Sequence, residues 1–112
     1  MKDIVILCAG DFGKEVAWLI EDINKKHLQY NILGYLDDDK CKIGQIYNGI
    51  ECVGPISKLN EFNRNQNIYA VIANQEAVIR KQIVESFPDF SNWETIIHPS
   101  VKFSDKIGRA HV

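Results

Sequence analysis

The chain has 112 residues, 46% of them hydrophobic and 25% charged, a composition that fits one soluble globular domain and is small for a whole enzyme. A net charge of -2 with scattered basic residues argues against a nucleic-acid surface, which needs a basic face. Cys8, Cys41 and Cys52 lack CxxC spacing and read as reduced thiols rather than a disulfide frame or zinc site, and no apolar run is long enough to span a bilayer.

Ile4 to Leu7 is continuously apolar, as in a buried parallel strand. The run is too short for a signal peptide, and Leu7 is bulky where a cleavage site wants a small residue, so a cytoplasmic location is expected. The chain then turns through Cys8-Ala9-Gly10-Asp11-Phe12-Gly13 into a helix predicted from Phe12 to about Asn24, with Val16, Leu19, Ile20 and Ile23 at helical spacing. Strand, glycine turn, helix is how a Rossmann-type domain begins. Helix-start N–H groups and the helix dipole attract phosphate oxygens, and glycines let a ligand approach the backbone.

Ile32 to Leu36 is the next strand, with Asp37-Asp38-Asp39 at its end. Asp38 to Gly49 reads as a polar loop containing the turn signal Asn48-Gly49. Ile50 to Val53 is a short strand closed by Gly54-Pro55, and Ile56, Leu59 and Phe62 mark a short helix. Ile68 to Ala73 is an apolar strand. Gln75 to Ser86 follows as a helix with Val78, Ile79, Ile83 and Val84 on one face, and Pro88 prevents its continuation. Trp93 to Ile97 is a last strand before His98-Pro99, and both Trp18 and Trp93 are expected in the core. The alternation predicts an α/β domain: a Rossmann-like parallel sheet with right-handed crossovers and helices on both faces.

After Pro99 the pattern changes. Val101 and Ile107 lie six residues apart with Ser104 midway, the period of a hexapeptide β-helix. The expected division is therefore 1–98 for the Rossmann-like domain and 99–112 for the start of a left-handed β-helix. The last residues, Ile107-Gly108-Arg109-Ala110-His111-Val112, also equal one reading frame of a common short-read library adapter, ATCGGAAGAGCACACGTC. Residues 107–112 are then either a sequencing artefact on a truncated gene or a first hexapeptide turn. Sequencing past the Lys106 codon distinguishes the two.

Taken in order, Ile4 to Ala17, Leu33-Gly34-Tyr35-Leu36-Asp37-Asp38, Ile43-Gly44, Asn48-Gly49-Ile50, Val53-Gly54, Val71-Ile72-Ala73-Asn74 with Arg80, and Ile97-His98-Pro99-Ser100 resemble the NeuD/PglD-type sugar acyltransferases, the sialic-acid and UDP-aminosugar acetyltransferases. The resemblance covers essentially the whole chain. It implies a Rossmann-like N-terminal domain that binds the nucleotide-sugar acceptor. A following β-helix of hexapeptide repeats would bind acetyl-CoA, build a homotrimer and carry a histidine, oriented by an acid, as general base. This chain resembles the acceptor-binding part, with no catalytic residue of its own and no cofactor bound by it. Two departures stand out. Cys8 occupies the first glycine of the family's turn, which implies a turn made at negative φ. Ala73 stands where the family usually has glycine, narrowing the room beside that strand.

The candidate substrate-binding residues are Ala9, Gly10, Asp11, Phe12, Gly13, Asp37, Asp38 and Asn74. The first five form the turn and helix start, where Asp11 is expected to face solvent or cap the helix rather than touch a diphosphate. Asp37 lies ~20 residues beyond the glycines, where a dinucleotide-binding domain keeps its ribose-binding acid. The resemblance places Asp37 and Asp38 beside the nucleoside. Asn74 ends a strand at the edge where ligands bind in open α/β sheets, a position that a turn or cap would also explain. Arg80 is expected to pair with an acid on its helix or pack its stem. His98, restricted by Pro99, does not match the family's catalytic histidine.

The leading reading is an acceptor-binding domain for a UDP-sugar or a sialic-acid-type small molecule, with acetyl-CoA as co-substrate of the full-length enzyme in bacterial surface glycan synthesis. Neither nucleic acid nor membrane is an expected partner, and a homotrimer is expected only with the β-helix. The alternatives are an NAD(P)-binding domain of an oxidoreductase, which the glycine turn and Asp37 also fit, and a non-catalytic binding module.

Overall fold

The computed structural model describes residues 1–63 and 67–96. Five strands form one sheet: β1 (Lys2–Leu7), β2 (Tyr30–Leu36), β3 (Ile46–Tyr47), β4 (Ile50–Gly54) and β5 (Ile68–Ile72), in the order β3-β4-β2-β1-β5. The strands β4, β2, β1 and β5 are parallel, and β3 runs antiparallel to β4 at the edge. The chain builds outward from β1 on one side, through β2 and β4, and then crosses to place β5 on β1's other side. The strand order thus reverses beside β1, and the carboxyl ends of β1 and β5 flank the crevice where doubly wound sheets hold ligands.

The helices are α1 (Asp11–Lys26), α2 (Leu59–Asn63), preceded by a 3-10 turn at Ile56–Lys58, and α3 (Ala77–Ser86). Alternate strand residues divide between two cores, because successive side chains point to opposite faces. Ile4, Ile6, Tyr35 and Val71 pack with Val16, Ala17, Ile20 and Ile23 of α1 on one face. Val5, Leu7, Leu36, Ala70 and Ile72 pack on the other, with Leu59, Phe87 and Phe90, and with Phe62 and Ile83 against them. Helices therefore cover both faces. Parallel strands buried on both sides explain why β1 and β5 read as unbroken apolar runs.

Four expectations need correction. The stretch Asp38 to Gly49 is not all loop: Ile46–Tyr47 pairs with Glu51 and Ile50 across Asn48 and Gly49, whose φ values of 55° and 76° make the two-residue hairpin turn that suits twisted strands. Trp93 forms only a single bridge to Ala70 instead of starting a strand, and Ile97 lies outside the described residues. Trp18 is 64% exposed, because it sits on α1 one position past the stripe of Val16, Ala17 and Ile20 and faces away from the sheet. Helix α3 begins at Ala77, not Gln75, since the Asn74 side chain accepts the Glu76 N–H at 2.9 Å and holds the approach as an Asx turn. The hexapeptide tail, His98 and residues 107–112 also lie outside the described residues.

Candidate functional site

At its carboxyl edge the sheet continues by one residue on β1, β2 and β5. Cys8 N–H donates to Leu36 O at 2.7 Å, Ala73 N–H to Leu7 O at 2.9 Å, and Asp37 N–H to Gly54 O at 2.9 Å. These bonds bring the ends of β1, β2, β4 and β5 to one rim. The chain then leaves β1 through Cys8, which has φ 87°. The turn is made in the left-handed region, which corrects the expectation of negative φ. It stays sharp enough that a Cβ on Gly13 would collide with the Cys8 carbonyl oxygen. Gly13 is therefore required by packing of the turn against the helix.

Gly10 is the N-cap of α1, and the first helical bond runs from Lys14 N–H to Gly10 O at 3.1 Å. The N–H groups of Asp11, Phe12 and Gly13 have no acceptor inside the helix, and Gly10, the N-cap, has no side chain to cap them. They carry the positive end of a 16-residue helix dipole toward the rim. Asp11 is exposed and pairs with Lys14 at 3.9 Å, so it faces solvent as expected. Phe12 packs against the α1 core.

Asp37 does something the sequence does not announce. Its Oδ2 accepts the Ala9 N–H at 2.8 Å and its Oδ1 accepts the Asp39 N–H at 2.9 Å. Ala9 is fully buried, and its N–H is committed to Asp37 rather than turned to a ligand. Asp37 thus braces the glycine turn, while each carboxylate oxygen keeps further acceptor capacity. Asp38 is exposed and accepts the Ile56 N–H through Oδ1 at 2.9 Å, tying the end of β2 to the turn after β4.

Asn74 joins the two sides of the crevice. Its side chain bonds the Cys8 thiol, and its carbonyl oxygen accepts from Arg80 Nη1 at 3.2 Å. Arg80 is thereby used on the Asn74 carbonyl instead of on an acid of its helix. Burial, and then the charge of Asp37, push the Cys8 thiol up, so at neutral pH it is a protonated thiol and a poor nucleophile. All three cysteines are free.

Sequence reasoning missed Lys42. Its Nζ stands 3.9 Å from Asp37 Oδ2 and 3.9 Å from the position a Cβ on Gly10 would take. A lysine in a polar loop carries no spacing signal, and only the folded path of residues 38–45 brings it over the turn. A separate open groove lies on the outer side of α1, lined by Lys14, Glu15, Trp18, Glu21 and Asn48. Among the described residues no cluster of His, Cys, Asp and Glu could hold a metal ion, and no helix is long and apolar enough to cross a membrane.

Comparison with known proteins agrees with this architecture. A family model described as the PglD N-terminal domain matches residues 3–87. Two solved structures of the acetyltransferase domain of PglB from Neisseria gonorrhoeae FA1090 are similar over 88% of this chain. One, in complex with acetyl coenzyme A, is 28% identical with a TM-score of 0.68. The other is 26% identical with a TM-score of 0.70. The chain spans 44% and 45% of their lengths, less than half in each case. No curated protein sequence matches it.

Proposed function

The chain belongs to the PglD N-terminal domain family, an acetyltransferase-family domain, and from that premise we propose that it binds the nucleotide-sugar acceptor of an acetyl-CoA-dependent sugar acetyltransferase. The carrying observation is the start of α1, whose N-cap Gly10 supplies no side-chain cap, opening at the strand-order reversal. Helix-start N–H groups and a dipole at that place suit phosphate oxygens. In this reading the N–H groups of Gly10, Asp11, Phe12 and Gly13 face the phosphates, Asp38 and Asn74 lie beside the nucleoside and sugar, and Asp37 and Ala9 hold the turn in shape.

Acetyl transfer needs the acceptor amine or hydroxyl to attack a thioester carbonyl, expelling the thiol of CoA while a base takes the proton. We assign those tasks to a β-helix domain beyond Pro99, which would also build the trimer, so the chain by itself binds acceptor without transferring acetyl. The parent enzyme would act in the cytoplasm on a UDP-aminosugar or a sialic-acid-type sugar for bacterial surface glycans.

Isothermal titration of the chain with UDP, a UDP-linked aminosugar and NADH tests the reading. UDP and the UDP-sugar are expected to bind and NADH not to bind. Binding of NADH without UDP would replace the proposal with a dinucleotide-binding domain of an oxidoreductase.

A further inference from the structure

The two glycines of the turn are glycines for different reasons. Gly13 has no room for a side chain, since its Cβ would strike the Cys8 backbone. Gly10 has room. Its φ of −79° and ψ of −165° are extended values that any residue adopts, and the atom nearest to an added Cβ is Lys42 Nζ at 3.9 Å, an ordinary contact. Neither backbone conformation nor packing calls for glycine there. Its missing side chain leaves open the space between the helix start and an ammonium group.

Lys42 is held at that height by its loop. Its N–H donates to Asp39 O at 2.9 Å and its carbonyl oxygen accepts from Gln45 N–H at 2.9 Å. The following residues are pinned to β4 by Gly44 N–H to Cys52 O and by Cys52 N–H to Gln45 O, both 2.8 Å. The nearest acid, Asp37, is 3.9 Å from Nζ, an ion-pair distance without a hydrogen bond, and both its oxygens already receive backbone N–H groups. Among the described residues the ammonium makes no hydrogen bond, so it keeps its donors for another acceptor while it offsets the charge of Asp37. Lys14 stands at the same 3.9 Å from its acid, Asp11, but its ammonium is drawn over the Tyr47 ring at 4.5 Å. A phosphate approaching the start of α1 meets the charge of Asp37, bonded to the turn at Ala9, and a cation across the gap is what makes that approach favourable.

Resting on the acceptor-binding reading above, the geometry points to Lys42 as the residue that clamps the acceptor's diphosphate, with the phosphate seated in the gap that Gly10 leaves between Lys42 Nζ and the first turn of α1.

Titrations of the wild-type chain, Lys42→Met, Lys42→Arg and Gly10→Ala with UDP, uridine and inorganic pyrophosphate test this, with thermal melting as a folding control. Lys42→Met is expected to weaken UDP and pyrophosphate about tenfold or more, the usual weight of a charge-assisted phosphate contact, and to leave uridine unchanged. Lys42→Arg is expected to retain most of the affinity. Gly10→Ala is expected to stay folded, with a melting temperature lowered by a few degrees at most because alanine is a poorer N-cap than glycine, and to lose UDP affinity. Equal UDP binding by wild type and Lys42→Met overturns the clamp and leaves the nucleotide reading standing. Lys42-dependent pyrophosphate binding with no tighter binding of UDP supports the clamp and overturns the nucleotide reading. A wild-type chain that takes neither ligand overturns both.

Discussion

Asp37 is the residue around which the turn is organised. Ala9 is fully buried, and its N–H has a carboxylate oxygen 2.8 Å away. Asp37→Ala removes that acceptor and strands a buried donor, which costs about 1–3 kcal/mol. Asp37→Asn keeps an acceptor oxygen and is expected to cost less. Urea unfolding of the two variants checks the order; equal stability of Asp37→Ala and wild type would show that the turn does not depend on the brace. The place of Asp37 is legible in the sequence, at the end of an apolar strand. Its use is not, because the bond spans 28 positions and depends on where Cys8 sends the chain. Cys8 shows the same limit from the other side. A non-glycine residue at φ 87° carries strain of about 1 kcal/mol or more, a conformation that residue type alone argues against. The bond from Cys8 N–H to Leu36 O holds it there, and the Asn74 side chain donates to its sulfur.

At the scale of elements, patterns long enough to have a period are legible and short ones are not. The stripe Val16, Ile20, Ile23 marks α1, and the unbroken apolar runs mark β1 and β5. A strand of two residues, β3, has no period to read, and its existence rests on the Asn48-Gly49 turn. Helical spacing in α3 is correct, but Val78 and Val84 are exposed while Ile83 meets the core, so the pattern gave the element and not its degree of burial. The joint between α1 and β2 rests on one side chain. Asn24 Oδ1 accepts the N–H groups of Gln29 and Tyr30, both at 3.0 Å, and its Nδ2 donates to Tyr30 O at 2.9 Å. Asn24→Ala removes all three bonds and is expected to cost about 2 kcal/mol, given roughly 0.5–1.5 kcal/mol per bond and partial replacement by water. Asn24→Asp keeps the two accepted bonds and should lose less. Chemical denaturation separates the variants; an Asn24→Ala midpoint equal to wild type would mean that the loop is set by the strand and helix alone.

Over the whole molecule, the strand order puts the glycine turn, Asp37 and Asn74 at one rim and a second polar cluster at the opposite one. There Glu94 accepts from Lys2 Nζ at 3.0 Å and from the Tyr30 hydroxyl at 2.6 Å, fastening the segment after α3 to the beginnings of β1 and β2. Burial, and then this bond to Glu94, push the Tyr30 hydroxyl well up, and burial pushes Tyr35 up to about 12. Burial raises the Cys8 and Cys52 thiols too. All four groups hold their protons more tightly when folded than in the unfolded chain, where cysteine and tyrosine titrate near 9.0 and 10.0. The folded state then binds more protons than the unfolded state at high pH, so stability falls as pH rises. Their contribution is fully present below about pH 9 and is lost as pH climbs through the folded values. The urea midpoint is expected to hold from pH 7 to about pH 9 and to drop steeply by about pH 11, with tyrosinate absorbance appearing together with unfolding. Tyr30→Phe removes one of the coupled groups and should make the alkaline slope shallower, even though it lowers stability at pH 7 by the lost bond to Glu94. A midpoint at pH 10.5 equal to that at pH 8 would mean that these groups ionise without unfolding the sheet they are buried in.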